Sequence, residues 1–306
     1  MTNNDYLDQF IEYISFERMY SSHTIRSYKN DLEEYLAFLQ SYDTSVKVTK
    51  TEKSSIQFFL QKLSEKGLTA RTVARKLATL KSFYKYLFLN QVTQKNIAAT
   101  VKTPKLPKHL PDFLKTSEAK SLMELPDLST IEGKRDRLIL ELFYSTGVRI
   151  SELINIKLKD IQVENRIIRI LGKGNKERLV IFSSYVAEAY KQYMIEIVKH
   201  NDIQSQEYLF PSIRKSKSNN SSNHICQKTV YNIVKKYLRQ ISNNEKLSPH
   251  SIRHTFATHL LNNGADLVAV KELLGHSSLS STQIYTHVQI EKLKNEYNKS
   301  HPHAKK

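Results

Sequence analysis

The sequence predicts two unequal domains: a small all-α bundle, then a larger mixed α+β domain that is mainly helical and carries a small antiparallel sheet. Three observations predict this. The chain has 306 residues, enough for two domains at about 150 residues each. A proline-rich segment, TPKLPKHLPD at 103–112, interrupts it. Pro104, Pro107 and Pro111 make a poor helix interior or central strand, so this segment reads as an extended linker. Apolar residues before it recur at spacings of three and four, and β-branched runs follow it. The expected bounds are 1–102 for the bundle, 103–116 for the linker and 117–306 for the second domain.

In the first domain, YLDQFIEYISF places Leu7, Phe10, Ile11 and Ile14 on one helical face. A second helix is expected from Ser22 to Leu39, with Ser22 as its cap. A third runs from Thr51 to Leu63 and a fourth from Thr69 to Leu87, and short connections make the four a bundle. In the second domain, GKRDRLILELFYSTG reads as a helix ending at Gly147. VENRIIRILGKGNKERLVIF has β-branched runs on both sides of GKGNKE, as in two strands joined by a glycine-containing turn. SSYVAEAYKQYMIEIVK is helical again, and the polar stretch 211–224 reads as a loop. Further helices are expected from Gln227, Pro249, Ala265 and Ser278.

Charge narrows the function. There are 47 Lys plus Arg against 30 Asp plus Glu, a net +17. Residues 1–102 hold 15 basic and 10 acidic residues, leaving 47 − 15 = 32 and 30 − 10 = 20 beyond. Both halves are therefore positive, and a polyanion touching both fits better than a single basic tail. The single cysteine, Cys226, excludes an intrachain disulfide and fits a reducing compartment. The first residues lack the basic and apolar regions of a signal peptide, and no run of about 18 apolar residues follows, so no membrane span is expected.

The residues able to carry chemistry are scattered. Arg71, Arg75, Lys76 and Lys81 lie in a stretch to Lys85 without an acidic residue, suited to phosphates or simply a solvated face. Arg149 follows Gly147 by two residues, just before a new helix, where a guanidinium suits an oxyanion and Glu152 can orient it. Alone, the pair is also an ordinary surface ion pair. Lys173 sits in the turn between the strands, either a mobile cation for a ligand or a plain hairpin-tip lysine. His250 and Arg253, three apart, share a helix face. Arginine supplies a fixed fork of donors to a phosphate, and histidine a proton-transfer group near neutral pH. His276 follows Gly275, the expected end of ADLVAVKELL, where it serves a site or caps the helix. Tyr285 is one of 17 tyrosines, and a phenol needs a base and a cationic phosphate site to act as nucleophile near pH 7.

Taken together, these motifs resemble the tyrosine recombinase (phage integrase) family, and within it the Xer-type bacterial recombinases that resolve chromosome dimers. The likeness runs through SSHTIRSYKNDL (21–32), TGVRISEL (146–153), GKGNKER (172–178) and LSPHSIRHTFATHLLNNGADLVAVKELLGHSSLSSTQIYTH (247–287). It implies that Arg149 and Arg253 are the two catalytic arginines, Lys173 the hairpin lysine, His250 and His276 the active-site histidines, and Tyr285 the nucleophile. It implies no cofactor and no metal. It also implies a SAM-like core-binding domain and a catalytic domain that clamp duplex DNA, cutting and rejoining strands through a 3′-phosphotyrosine and a Holliday junction.

Further implications concern assembly. The family forms a cyclic tetramer on DNA, in Xer systems also a heterotetramer with a second recombinase, activated by a cell-division DNA translocase. The expected location is the cytoplasm, at the nucleoid. EKLKNEYN (291–298) would be the last helix, packing into a neighbouring protomer through Leu293 and Tyr297. Other roles stay open: an integrase or invertase of a mobile or phase-variable element, a side activity as a type IB topoisomerase, and a non-catalytic DNA-architectural protein.

Overall fold

The computed structural model describes residues 1–42, 47–106, 112–172, 177–200, 207–212, 223–275 and 287–304, without the side chains of 200 and 287–290. Lys173, His276 and Tyr285 therefore lie outside the described residues. The chain separates into two compact units, Met1–His109 and Leu110–Lys306.

In the first unit, α1 (Asn3–Phe16) starts at a capping box. The Thr2 hydroxyl accepts from the Asp5 amide, and the Asp5 carboxylate accepts from the Thr2 amide. Its buried face is Leu7, Phe10 and Ile14, with Ile11 half-buried beside them. The cap of α2 (Ser22–Tyr42) is Ser21, one residue before the expected Ser22, because the Ser21 hydroxyl accepts from the Thr24 amide. The third helix, α3 (Lys53–Glu65), begins two residues after the expected Thr51. Helix α4 (Ala70–Leu89) is capped by Thr69 and buries Val73, Leu77, Leu80, Phe83, Tyr84 and Leu87. That stripe, with Leu32, Tyr35 and Leu39 of α2 and Ile56 and Phe59 of α3, forms one core. The hydroxyls of Tyr35 and Tyr84 meet inside it at 3.0 Å.

The second unit begins earlier than the linker was expected to end. Leu114 is buried in the second core, and α5 (Thr116–Glu124) starts within the expected linker. The Leu114 amide donates to Thr255 Oγ1 at 2.9 Å, and its carbonyl accepts from His259 Nε2 at 2.9 Å. An apolar side chain flanked by satisfied backbone groups packs, whatever the prolines before it do.

Helix α6 (Ile131–Thr146) is buried on every side from Leu138 onward and touches α5, α8, α9 and α10, whose bounds follow. It stops at Gly147, which is left-handed at φ 60°. A Cβ there would lie 2.5 Å from Phe256 Cδ1, so both the backbone and the packing require glycine. A short α7 (Ile150–Leu153) follows. Three antiparallel strands come next, β1 (Ile161–Gln162), β2 (Ile167–Leu171) and β3 (Glu177–Ile181), in the order β1-β2-β3. The register pairs Ile168 with Val180 and Ile170 with Arg178. Two strands were expected; β1 escaped because two residues carry no readable alternation. The remaining helices are α8 (Ser184–His200), α9 (Gln227–Ile241), α10 (Pro249–Asn262), α11 (Leu267–Leu274) and α12 (His287–Ser300). Asp266 caps α11, accepting from the amides of Val268 and Ala269, so that helix starts two residues after Ala265. The expected start of the last helix at Ser278 lies outside the described residues.

Leu293 and Tyr297 of α12 are buried against Phe256, Leu260 and Leu274 of the same chain. In the single chain their apolar surface is covered from within, whereas the sequence expectation placed it against a neighbouring protomer. The Tyr297 hydroxyl lies 2.6 Å from Ser145 Oγ, and its ring stacks on His301 at 4.9 Å and 11°. His301 Nε2 donates to the Tyr144 carbonyl at 3.0 Å, and its Nδ1 accepts from the His303 amide at 3.1 Å. Burial pushes His301 down from 6.5 to about 3, and burial also lowers His259. Both rings are neutral in the fold, whereas unfolding lets them bind protons below pH 6.5. Their stabilisation is present above that pH and lost as pH falls toward the folded values. Unfolding free energy should fall below pH 6.5 by up to about 1.4 kcal/mol per pH unit for each histidine. In denaturant titrations from pH 7 to 4, His301→Gln should flatten that slope relative to the unsubstituted chain.

Candidate functional site

Arg149 is the N-cap residue of α7, extended at φ −78° and ψ 153°. Its amide donates to Glu152 Oε2 at 2.7 Å and its Nη1 donates to Glu152 Oε1 at 2.8 Å. Glu152 thus caps the helix and orients the guanidinium, as its place three residues on suggested. The Arg149 side chain remains 37 % exposed, so part of its fork faces outward.

Arg253 is buried on α10. Its Nη1 donates to the Gly147 carbonyl, and its Nη2 donates to the Leu274 carbonyl at 2.6 Å. Helix ends leave carbonyls without intrahelical partners, and Arg253 satisfies one at the end of α6 and one at the end of α11. The Gly147 carbonyl it binds lies two residues before Arg149 along the chain, and the Leu274 carbonyl closes α11. Burial, with Arg149 and Arg178 nearby, pulls the Arg253 guanidinium down to about 10 against the opposing effect of Glu152. It is still charged at neutral pH.

His250 is exposed in the first turn of α10, after Ser248 and the helix-starting Pro249. Of the six candidate catalytic residues, the described residues bring Arg149 and Arg253 together and put His250 one turn from Arg253. Lys173, His276 and Tyr285 lie outside them.

Sequence reasoning missed Arg178. It is 7 % exposed and donates from Nη1 and Nη2 to the two Glu152 oxygens, each at 2.8 Å. Burial pushes Glu152 up, but the bonds and charges of Arg178 and Arg149 outweigh it and hold the carboxyl at about 2. The missed signal is strand alternation: Arg178 and Val180 share the buried face of β3. The centre therefore holds three guanidinium groups and one carboxylate, 3 − 1 = +2. Such a concentration of fixed donors suits a phosphodiester acquiring charge.

In the first unit, Asp31 is buried on α2 and faces α4. It accepts from Arg75, from Lys76 Nζ at 2.7 Å and from Thr79 Oγ1 at 3.0 Å. Arg75 also donates to Ser27 Oγ at 2.9 Å and stays 48 % exposed. Arg71 is exposed, and Lys81 is half-buried with Thr103 Oγ1 at 3.4 Å. Lys76, grouped in the sequence with the phosphate-facing candidates, points inward in the free chain. It is buried between Asp31 and Glu34, its Nζ 2.6 Å from Glu34 Oε2, on the same face as Leu80 and Phe83. Lys76→Ala should cost about 1–3 kcal/mol in urea unfolding, because the buried Asp31 loses a charged donor. Arg71→Ala should stay within about 0.5 kcal/mol of the parent.

Comparison with known proteins gives the lineage. The phage integrase family matches residues 112–292, and the phage integrase N-terminal SAM-like domain matches residues 7–91. The chain is 42 % identical over 310 residues to a tyrosine recombinase XerC of Thermodesulfovibrio yellowstonii, covering 100 % of this chain and 99 % of that one. It is 36 % identical over 304 residues to a tyrosine recombinase XerD of Staphylococcus saprophyticus, covering 97 % and 99 %. Its fold is similar to a lambda integrase dimer bound to a COC′ core site, at a TM-score of 0.67 and 17 % identity over 93 % of this chain and 100 % of that one. It is also similar to the XerH site-specific recombinase bound to its difH substrate, at a TM-score of 0.64 and 22 % identity over 95 % and 81 %. The two family models fall on the two units of the fold, the SAM-like one on the helical bundle and the other on the unit with the arginine-rich centre, and the chain belongs to the phage integrase family, among the site-specific tyrosine recombinases.

Proposed function

We propose that the chain cuts and rejoins duplex DNA at a specific site through a covalent 3′-phosphotyrosine at Tyr285. The observation that carries this reading is the surplus of positive charge around Glu152, with Arg149 oriented by that carboxylate and still partly exposed. A DNA phosphodiester is already negative and a poor electrophile. In-line attack adds charge to its nonbridging oxygens. Arg149 and Arg253 hold those oxygens, with His276 as a further donor.

The proton balance then follows. Tyr285 Oη attacks phosphorus and loses its proton to His250. The phosphorus–O5′ bond breaks, and Lys173 gives the leaving 5′-oxygen a proton. The phosphotyrosine preserves the energy of the phosphodiester. A 5′-hydroxyl from a partner duplex attacks it and releases the tyrosine, so strands exchange without ATP. Two such exchanges pass through a four-way junction in a ring of four protomers. The XerC and XerD relatives support a chromosomal role, resolving dimers with a second recombinase at the nucleoid, and a DNA translocase of cell division is the expected activator. Among the described residues no helix is long and apolar enough to cross a membrane.

Tyr285→Phe should bind site DNA as the parent does and form no covalent adduct on a denaturing gel with labelled duplex. A surviving adduct would sink the assignment of the nucleophile. Lys173→Ala should slow cleavage by about 100-fold or more with little change in binding. A sulfur in place of the 5′-bridging oxygen, which leaves without a proton, should restore most of the rate. Covalent capture on genomic DNA distinguishes the chromosomal role from that of an element integrase: attachment near the replication terminus supports the first, and attachment at an element boundary overturns it.

A further inference from the structure

We propose that Arg178 is a positioning residue for strand cleavage: by occupying both oxygens of Glu152 it leaves the Arg149 guanidinium oriented but not neutralised, free to hold the scissile phosphate. This rests on the function proposed above and goes beyond it in giving the centre a third arginine with a separate task.

The geometry divides the work. Arg178 meets the carboxylate with a two-pronged fork, Nη1 to Oε1 and Nη2 to Oε2, both 2.8 Å, and is nearly enclosed. Arg149 gives Glu152 a single side-chain bond and keeps its outer part exposed. A carboxylate bound two-pronged by one cation has little charge left for a second. Glu152 therefore directs Arg149 without cancelling it. Without Arg178, the local sum would fall from +2 to +1, and both Glu152 oxygens would turn to Arg149, the guanidinium needed by the phosphate.

Two further observations separate Arg178 from an ordinary strand-to-helix ion pair. Its Nε is buried without a hydrogen-bond partner among the described residues. The side chain is also pressed against Gly275, where a Cβ would lie 2.6 Å from Arg178 Cδ and 2.8 Å from its Nε. The backbone thus approaches the guanidinium as closely as glycine allows. A pair serving stability alone is replaceable by apolar side chains and gives no reason for such an approach.

The test is single-turnover cleavage of duplex DNA carrying the chain's own site, as recovered by covalent capture. The scissile linkage is either phosphate or uncharged methylphosphonate. On phosphate, Arg178→Met should cleave about 100-fold more slowly, with DNA affinity within about twofold of the parent. On methylphosphonate, which brings one less negative charge to the arginines, the loss should shrink to about tenfold or less. Equal losses on the two linkages, or no loss on phosphate, overturn the proposal. Should Arg178→Met fail to fold, Arg178→Lys carries the test. It keeps the charge without the fork, and its loss on phosphate should again exceed its loss on methylphosphonate by about threefold or more; equal losses overturn the proposal there too. A parent chain that cleaves neither linkage removes the functional reading itself, whereas an active parent with equal losses removes only the role of Arg178.

Discussion

One buried carboxylate, Glu152, holds the centre together. It accepts from the Arg149 amide, from Arg149 Nη1 and from both terminal nitrogens of Arg178. Removing a charge from water costs several kcal/mol, and only good geometry with full hydrogen bonding offsets it. Glu152 has both. The dependence runs the other way as well. Arg149, Arg178 and Arg253 are near enough for the first two to lower the third, and without an anion among them their repulsion would work against the fold. Helix α7 has only four residues, too few to persist by its own hydrogen bonds, so the cap from Glu152 also makes that turn.

Around this carboxylate, two left-handed glycines bring distant segments together. Gly147 at φ 60° ends α6, and Gly275 at φ 64° ends α11. Each leaves a helix end with carbonyls pointing outward, and Arg253 takes one from each end. These carbonyls carry the partial negative charge of a helix C-terminus, which makes them fitting partners for a guanidinium. The same arginine thus ties the approach to Arg149 on one side to the end of α11 on the other. Those two bonds use two of the five guanidinium N–H donors, so Arg253 is fixed in place by the architecture and keeps donors for a phosphate.

Much of this was legible in the sequence, for reasons that vary by residue. The end of α6 at Gly147 was readable because few residues besides glycine adopt that backbone. The Arg149–Glu152 pair was readable because a cap and its third residue meet by local geometry. The inward placement of Lys76 was not read because charge type was weighed before helical phase: spacing from Val73, Leu80 and Phe83 puts it on the buried face. Arg178 was missed for the same reason in a strand, since a basic residue after a basic turn looks solvated until alternation is counted. The anchoring of Leu114 within the expected linker was not readable, because Leu114 is held by Thr255 and His259, about 140 residues away along the chain. No local pattern announces a contact of that range.

The two units use one electrostatic device. In each, a buried carboxylate binds one enclosed cation and one arginine that reaches outward, Asp31 with Lys76 and Arg75, Glu152 with Arg178 and Arg149, but only the second keeps a net positive charge, because Lys76 is also paired with Glu34. An exposed arginine by itself is directionless, and its rotamer entropy is lost when it meets a phosphate. An arginine paired only with a carboxylate is aimed but neutral. Adding the enclosed cation resolves that conflict, because it absorbs the negative charge while the carboxylate still sets direction. The outward guanidinium then arrives ordered and with its charge intact. For a protein whose substrate is a uniform line of phosphates, that combination separates a fixed point of contact from a diffuse basic surface, and the chain has built it in full beside its proposed reaction centre.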